Sequence, residues 1–239
     1  MTRDLGRRLL LCAAVAAFAA PAAAAGGPPS PGGVEAPPPP ATDGLVTTQG
    51  PHVSLTTRAG TMVRAVARCR GSAAASDAGR TVAIERLDEA TQAWTAVASA
   101  TIAADGSYVA HWRTDRAGTH RMRAVLSSGA AVTAAAATPE LAITVHRPAV
   151  ATWYGPGFYG RLTACGLRMS RTLLGVAHKR LPCGTPVAVL YKGRRITVPV
   201  VDRGPFRPGT TWDLTAATAQ ALGFQNTDRV GAVRVALPG

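Results

Sequence analysis

Acidic residues are scarce in this chain: 13 Asp and Glu stand against 26 Lys and Arg, a formal charge of +13. A surplus of that size selects anionic partners: nucleic acid, an anionic membrane or an anionic wall polymer. Aromatics are scarce as well, at 5% of residues, and no Lys/Arg-dense helix or RNA-binding motif accompanies the charge. That combination argues against nucleic acid. Only four cysteines occur, with neither Cys-x-x-Cys nor His-x-x-x-His spacing, so no metal centre and no cofactor are expected. Long apolar runs are missing too. The one candidate, residues 9–20, is too short and too rich in Ala to span a bilayer comfortably, and no later segment could.

What that run does resemble is an export signal. Arg3, Arg7 and Arg8 precede it, and Pro21 with a small-residue tail at 22–25 follows. A charged start, an apolar middle and an Ala-x-Ala end predict a secretory signal over residues 1–25. Cys12 lies early in the apolar part, far from the cleavage zone, so a lipid-anchored cysteine is not implied. Arg7-Arg8 fits Sec or twin-arginine export alike. The expected location is secreted or extracytoplasmic, in periplasm or cell wall, without a stable membrane anchor and as a monomer. Residues 26–44 are rich in Pro and Gly and predict a stiff, extended linker. In an oxidising compartment Cys165 and Cys183, each followed by a turn glycine, form the natural disulfide pair, contributing about 3 kcal/mol. Cys69 is left as a small buried hydrophobe.

From 45 to 147 the pattern is short alternating runs with turn punctuation. Residues 61–69 and 81–86 alternate with period two, Asp105-Gly106-Ser107 is a tight turn before 108–112, and 120–125 is a further strand. Strands at this spacing over about a hundred residues predict an immunoglobulin-like β-sandwich. Trp94 and Trp112 are expected in its core, Asp88-Glu89 in a hairpin turn, and His111 and His120 as surface or satisfied histidines.

Pro148 marks the next boundary, and residues 148–239 read as a small β-barrel with one or two short helices. Residues 185–191 and 195–201 are strand-like and joined by a hairpin at Lys192-Gly193-Arg194. A helix is predicted over 215–222, capped by Asp213 or the Thr215 hydroxyl and ended by Gly223, with a final strand at 231–237. The focal stretch is Val198-Pro199-Val200-Val201-Asp202-Arg203-Gly204-Pro205-Phe206, a β-branched run that delivers one carboxylate to a strand end. Only three acids follow Pro148, namely Asp202, Asp213 and Asp228, and no Glu. Asp213 precedes a helix and Asp228 falls in a polar loop, which leaves Asp202 as the acid without a structural explanation.

Several separated blocks recur in order: Trp153-Tyr154-Gly155, Thr163-Ala164-Cys165-Gly166, the block from Ala177-His178 to Cys183-Gly184-Thr185, Asp202-Arg203-Gly204-Pro205-Phe206, and Asp213-Leu214-Thr215. In these the chain resembles the rare lipoprotein A family, the septal-ring lytic transglycosylases with a six-stranded double-psi β-barrel. It resembles expansins more distantly. The resemblance implies Asp202 as the catalytic acid/base, His178 as its support, and Trp153, Tyr154, Arg203 and Phe206 along a sugar-binding groove. It departs at two positions: Leu167 replaces a Glu thought to assist catalysis, and Val201 replaces an Asn. A lytic transglycosylase needs one carboxyl group, which protonates the glycosidic oxygen and then, as carboxylate, helps the sugar's own C6 hydroxyl close a 1,6-anhydro ring. Hydrolases instead divide that labour between two carboxylates.

The expected fold class is therefore mainly β, a sandwich followed by a barrel. The expected function is cleavage of peptidoglycan glycan strands. The alternative is a non-catalytic, expansin-like module that binds or loosens the wall with the same groove. Both take glycan strands as partner, with other anionic wall polymers attracted by the basic balance. A protein-interaction scaffold centred on the sandwich is a third, weaker reading.

Overall fold

A computed structural model describes residues 44–127 and 137–236. The expected leader, and the linker up to residue 43, lie outside them. The strands are β1 (Leu45–Gln49), β2 (Ser54–Arg58), β3 (Gly60–Met62), β4 (Val66–Ser72), β5 (Thr81–Asp88), β6 (Ala93–Thr101), β7 (Ser107–Arg113), β8 (Gly118–Leu126) and β9 (Leu141–Tyr154). They continue as β10 (Val176–Ala177), β11 (Pro186–Tyr191), β12 (Arg194–Asp202), β13 (Trp212–Thr215) and β14 (Asp228–Arg234), with helix α1 (Ala216–Leu222) between the last two. Among the described residues no helix is long and apolar enough to cross a membrane.

The first half is two facing sheets. One runs β1-β2-β4-β7, and the other contains β3, β9, β8, β5 and β6. Strict alternation drives this: β7 buries Tyr108, Ala110 and Trp112 and exposes Ser107, Val109, His111 and Arg113. Leu55, Cys69 and Trp112 from the first sheet pack on Ile84, Met122 and Ile143 from the second in one apolar cluster. Cys69 is buried with its Sγ toward Thr57 Oγ1, and burial pushes its thiol pKa up. Trp112 is core, whereas Trp94 is half-buried beneath the Arg123 guanidinium, 4.1 Å from the ring centroid. His111 is exposed, and His120 is buried against Trp112 and bonded to the Arg116 carbonyl. The Asp88 carboxylate accepts from the Ala90 and Thr91 N–H groups, as a turn residue would.

One strand expectation is corrected. Residues 61–69 are not a single strand, because the chain reverses at 63–65, where Ala65 N–H bonds the Met62 carbonyl and Arg64 sits at φ 66°. The reversal sends β3 and β4 into opposite sheets. Period two alone carries no sign of such a reversal, since the alternation resumes after it.

The second half is a closed barrel. The order is β9-β14-β11-β12-β10-β13, and β13 returns to pair with β9. The β10–β12 and β13–β9 pairs are parallel and the rest antiparallel, consistent with a six-stranded double-psi barrel. Val187, Val198, Val200, Trp212, Leu214 and Leu222 are among the residues that fill it. The Lys192-Gly193 hairpin has both central residues at positive φ, 46° and 86°, as a two-residue turn between twisted strands requires. Thr215 caps α1, its hydroxyl accepting from Thr218 N–H at 3.3 Å, and Gly223 ends it at φ 68°. The final strand starts at Asp228, three residues before the expected 231, so Asp228 is a strand residue that accepts from the Tyr191 hydroxyl rather than part of a polar loop.

Strand β9 belongs to both halves. Its first part pairs with β8 and β3, its second with β14 and β13, and Pro148 lies within it opposite Gly231. At this junction His146 is fully buried, its Nδ1 bonded to the Thr61 carbonyl at 3.0 Å and its Nε2 without a partner. Burial, with the nearby Arg195 charge, depresses its pKa to about 4.

Candidate active site

Four adjacent strands place four small or acidic residues in one row. Asp202 at the end of β12 pairs with Ala177 of β10, Ala177 with Asp213 of β13, and Asp213 with Thr152 of β9. Residues in such a row share a face. Thr152, Ala177, Asp202 and Asp213 accordingly line one cleft of about 700 Å³ together with Trp153, Tyr154, Phe158 and the 203–207 turn. The two carboxyl groups flank Ala177, whose methyl leaves the floor between them low. Two strand spacings put the Asp202 and Asp213 backbones about 10 Å apart.

Asp202 is tightly held. Its Oδ1 accepts the N–H groups of Ala164 and Arg203, both at 2.8 Å. Ala164 sits on the 163–167 turn, which the Cys165–Cys183 disulfide ties to the segment between β10 and β11. The expected disulfide is thus present and braces the loop that orients the acid. Arg203 does not turn inward onto the carboxylate. Its guanidinium reaches Cys183 Sγ at 3.3 Å and the Asp202 carbonyl at 3.5 Å.

Asp213 corrects the sequence reading. It does not cap the helix, since Thr215 does. It points into the cleft, is half-buried, and accepts from Thr152 Oγ1 at 2.7 Å. Burial raises its carboxyl pKa and the Asp202 charge raises it further, against the lowering effect of the Thr152 hydroxyl. An acid with a structural explanation in the sequence thus faces the cleft, with its carboxyl pKa raised. The signal that could have found it was the spacing of strand ends, which a linear string does not display.

Tyr154 brings a third polar group. Its hydroxyl is buried with no hydrogen bond of normal geometry but faces Asp202, and burial first, then the Asp202 charge and the interaction of the O–H with that carboxylate, raise its pKa. The phenol therefore stays protonated, with its O–H toward Asp202. Its ring meets Phe158 edge-on at 5.9 Å. Trp153 is 39% exposed with its indole N–H anchored on the Gln225 carbonyl, and Phe158 and Phe206 are 48% and 81% exposed. Three exposed aromatic rings beside polar groups suit the apolar faces and hydroxyl edges of sugars. Thr152 and the 225–227 segment were not singled out in the sequence.

His178 lies beside the cleft. It follows Ala177, so its side chain alternates to the opposite face. The ring packs on Trp212 at 4.5 Å, and Nδ1 accepts from the Arg180 and Leu181 N–H groups. Burial first, then Arg203, Arg180 and Lys179, hold its pKa low, so the imidazole is neutral and acts as an acceptor. Its backbone N–H donates to the Asp202 carbonyl at 3.2 Å, which links it to the acid through the main chain. Leu167, where the resembled family carries Glu, is 44% exposed on the turn that holds Asp202. Among the described residues, no three His, Cys, Asp or Glu side chains gather as a metal site.

This cleft occupies a region with known counterparts. Residues 147–237 match the family model described as lytic transglycolase. The chain is 44% identical over 94 residues to the probable endolytic peptidoglycan transglycosylase RlpA of a Synechocystis species, covering 38% of this chain and 29% of that protein. It is 47% identical over 76 residues to the Aquifex aeolicus protein of that name, covering 31% and 34%. The endolytic peptidoglycan transglycosylase RlpA of Campylobacter jejuni is 41% identical over 75 residues, covering 30% and 27%. The chain thus spans about a third or less of the relatives it matches.

Proposed function

We propose that this protein acts outside the cytoplasm on peptidoglycan, cleaving glycan strands as a lytic transglycosylase. The observation that carries the reading is the pairing of Asp202 and Asp213 across Ala177 in a cleft rimmed by exposed aromatic rings. Trp153, Phe158 and Phe206 stack on sugar faces, Arg203 lines the rim, and Tyr154 directs its O–H toward the Asp202 carboxylate. Asp202 is the acid/base. It protonates the glycosidic oxygen as the C1–O bond breaks, then takes the proton of the sugar's own C6 hydroxyl as O6 attacks C1. No water is consumed, and the product ends in a 1,6-anhydro ring. Asp213 supplies the neighbouring carboxyl that Leu167 does not. The Asp202 charge acts on the Asp213 carboxyl through space and raises its pKa, which favours one charge over two in the cleft. His178 positions Asp202 through the main chain and the loop that it caps.

The test is incubation of the protein with purified sacculi, followed by mass spectrometry of released material. Anhydro-muropeptides are expected from wild type. Asp202→Asn should release them 10²- to 10⁴-fold more slowly, the usual worth of a positioned proton donor. The alternative, a module that binds or loosens the wall without cutting, is favoured by one observation, the exposed Leu167 in place of a helper acid. Pelleting with sacculi and no anhydro product from wild type would establish that alternative.

A further inference from the structure

The four described salt bridges all lie away from the β1-β2-β4-β7 sheet. They join Arg80 to Asp77, Arg86 to Asp115, Arg121 to Glu140 and Arg123 to Glu85. The β1-β2-β4-β7 sheet itself contains no Asp or Glu in any strand, yet its strands carry Arg58, Arg68, Arg70 and Arg113. All four arginines are exposed, on the face opposite the core. The register confirms that they share it. Thr56 pairs with Arg70, which carries Arg58 opposite Arg68, while Arg68 pairs with His111 and Val66 with Arg113. Arg58, Arg68 and Arg70 line a cleft of about 550 Å³ with Leu45, Val66 and Thr61. Like charges directly opposite on a sheet are destabilising. Here one such pair, Arg58 opposite Arg68, stands on an acid-free face with Arg70 and Arg113 beside it, while Arg86, Arg121 and Arg123 of the other sheet are paired with acids, so the repulsion is retained rather than relieved.

We infer that this sheet face binds an anionic polymer of phosphodiester-linked polyol or sugar units. Arg58 and Arg68 stand about 5 Å apart across strands, and Arg68 and Arg70 about 7 Å apart along one. A tetrahedral phosphate exposes oxygens to two guanidinium groups at once, whereas a single guanidinium fork saturates a planar carboxylate. Phosphate therefore fits an arginine row better than a uronic acid does. The exposed Leu45, Val66 and Val109 on the same face suit the carbon skeleton between phosphates, and Thr47 and Thr56 its hydroxyl groups. The strands expose no Phe, Tyr or Trp on this side, which removes the stacking platform that single-stranded nucleic acid needs. The face belongs to the sandwich, and its binding does not rest on the barrel cutting glycan.

Titration of the full chain with poly(glycerol phosphate) at about 0.15 M salt tests this. Replacing Arg58, Arg68, Arg70 and Arg113 together by Gln should weaken binding at least tenfold and flatten its salt dependence. Replacing four exposed arginines elsewhere, Arg147, Arg194, Arg229 and Arg234, removes the same charge and should weaken it less than threefold. Asp202→Asn should bind the polymer like wild type, which separates this site from the barrel chemistry. The urea midpoint of the first variant should hold or rise, because repulsion is relieved, and the double variant R58Q/R68Q provides a milder second reading. Equal weakening by both quadruple variants would reduce the site to net charge and overturn the inference. So would equally tight, arginine-dependent binding of polygalacturonate, or tighter binding of a single-stranded oligonucleotide.

Discussion

The barrel and the sandwich handle charge in opposite ways. In the barrel, closure consumes every strand edge, and the two acids that matter are drawn into one cleft at strand ends, half shielded and close to each other. In the sandwich Asp115, Glu140 and Glu85 pair with arginines around one sheet, and the strands of the other carry arginines without an acid. The difference teaches that a net charge of +13 is not a property of the whole surface. It is a sum over a chemical site built from scarce carboxylates and a flat face built from their absence. The rigidity demanded differs accordingly: proton transfer needs groups held to a fraction of an ångström, whereas a polyanion face needs only density of charge.

The comparison can be broken most strongly at the disulfide, because only the barrel's site depends on a covalent brace. Cys165→Ala with Cys183→Ala should cost about 3 kcal/mol, read as a lower denaturant midpoint, by the loop-entropy estimate. It should also slow product release by loosening Ala164 from Asp202, yet leave the sandwich face binding its polymer. Unchanged product release would show that the loop orients Asp202 without the brace.

The junction offers the next largest effect. His146 has a folded pKa of about 4 against an ordinary 6.5, so between those values the unfolded chain binds the extra proton. Stability is therefore full above pH 6.5 and falls as pH drops toward 4, by on the order of 2–3 kcal/mol. Urea midpoints measured from pH 7 to pH 4 should show this slope. His146→Gln should flatten that part of the slope, and a profile with the same slope in the variant would assign the effect to other groups.

Gly175 sharpens the same contrast inside the barrel. A Cβ there would lie 2.4 Å from Val201 Cγ2 and 2.5 Å from Cγ1, and a β-branched neighbour cannot swing away. Gly175→Ala should cost about 1–3 kcal/mol as overpacking does, with a further loss of product release because Val201 precedes Asp202. The smallest effect belongs to the helix cap. Thr215→Ala should cost about 1 kcal/mol of stability, while Asp213→Asn should leave the helix intact and change the chemistry. A helix signal in circular dichroism that falls in the Asp213 variant would return that residue to a capping role.

Legibility differed between elements for physical reasons. Strands 81–86, 108–112 and 120–125 were readable because alternation is local, and so were the 192–193 hairpin and the Thr215–Gly223 caps. The break at Arg64 was not, because a left-handed residue between two alternating runs leaves their period intact. Asp202, Trp153, Tyr154, Arg203 and Phe206 were singled out in the sequence and line one cleft. His178 was singled out too, but it lies on the far side of Ala177, since neighbouring residues in a strand face opposite ways.

By itself the sequence determined the class of fold, many of the strands, the helix, the disulfide and the acid at the end of β12, because each is written in neighbouring residues or in one pair of cysteines. Only the tertiary structure decided the rest. It took the parallel pairing of β10 with β12 and the antiparallel pairing of β10 with β13 to bring Asp213 across from Asp202, residues that lie on separate strands. It took the register of β2, β4 and β7 to gather four scattered arginines on one face without an acid. Carboxylates and guanidinium groups act through distances of a few ångströms, and those distances exist only once the strands have paired.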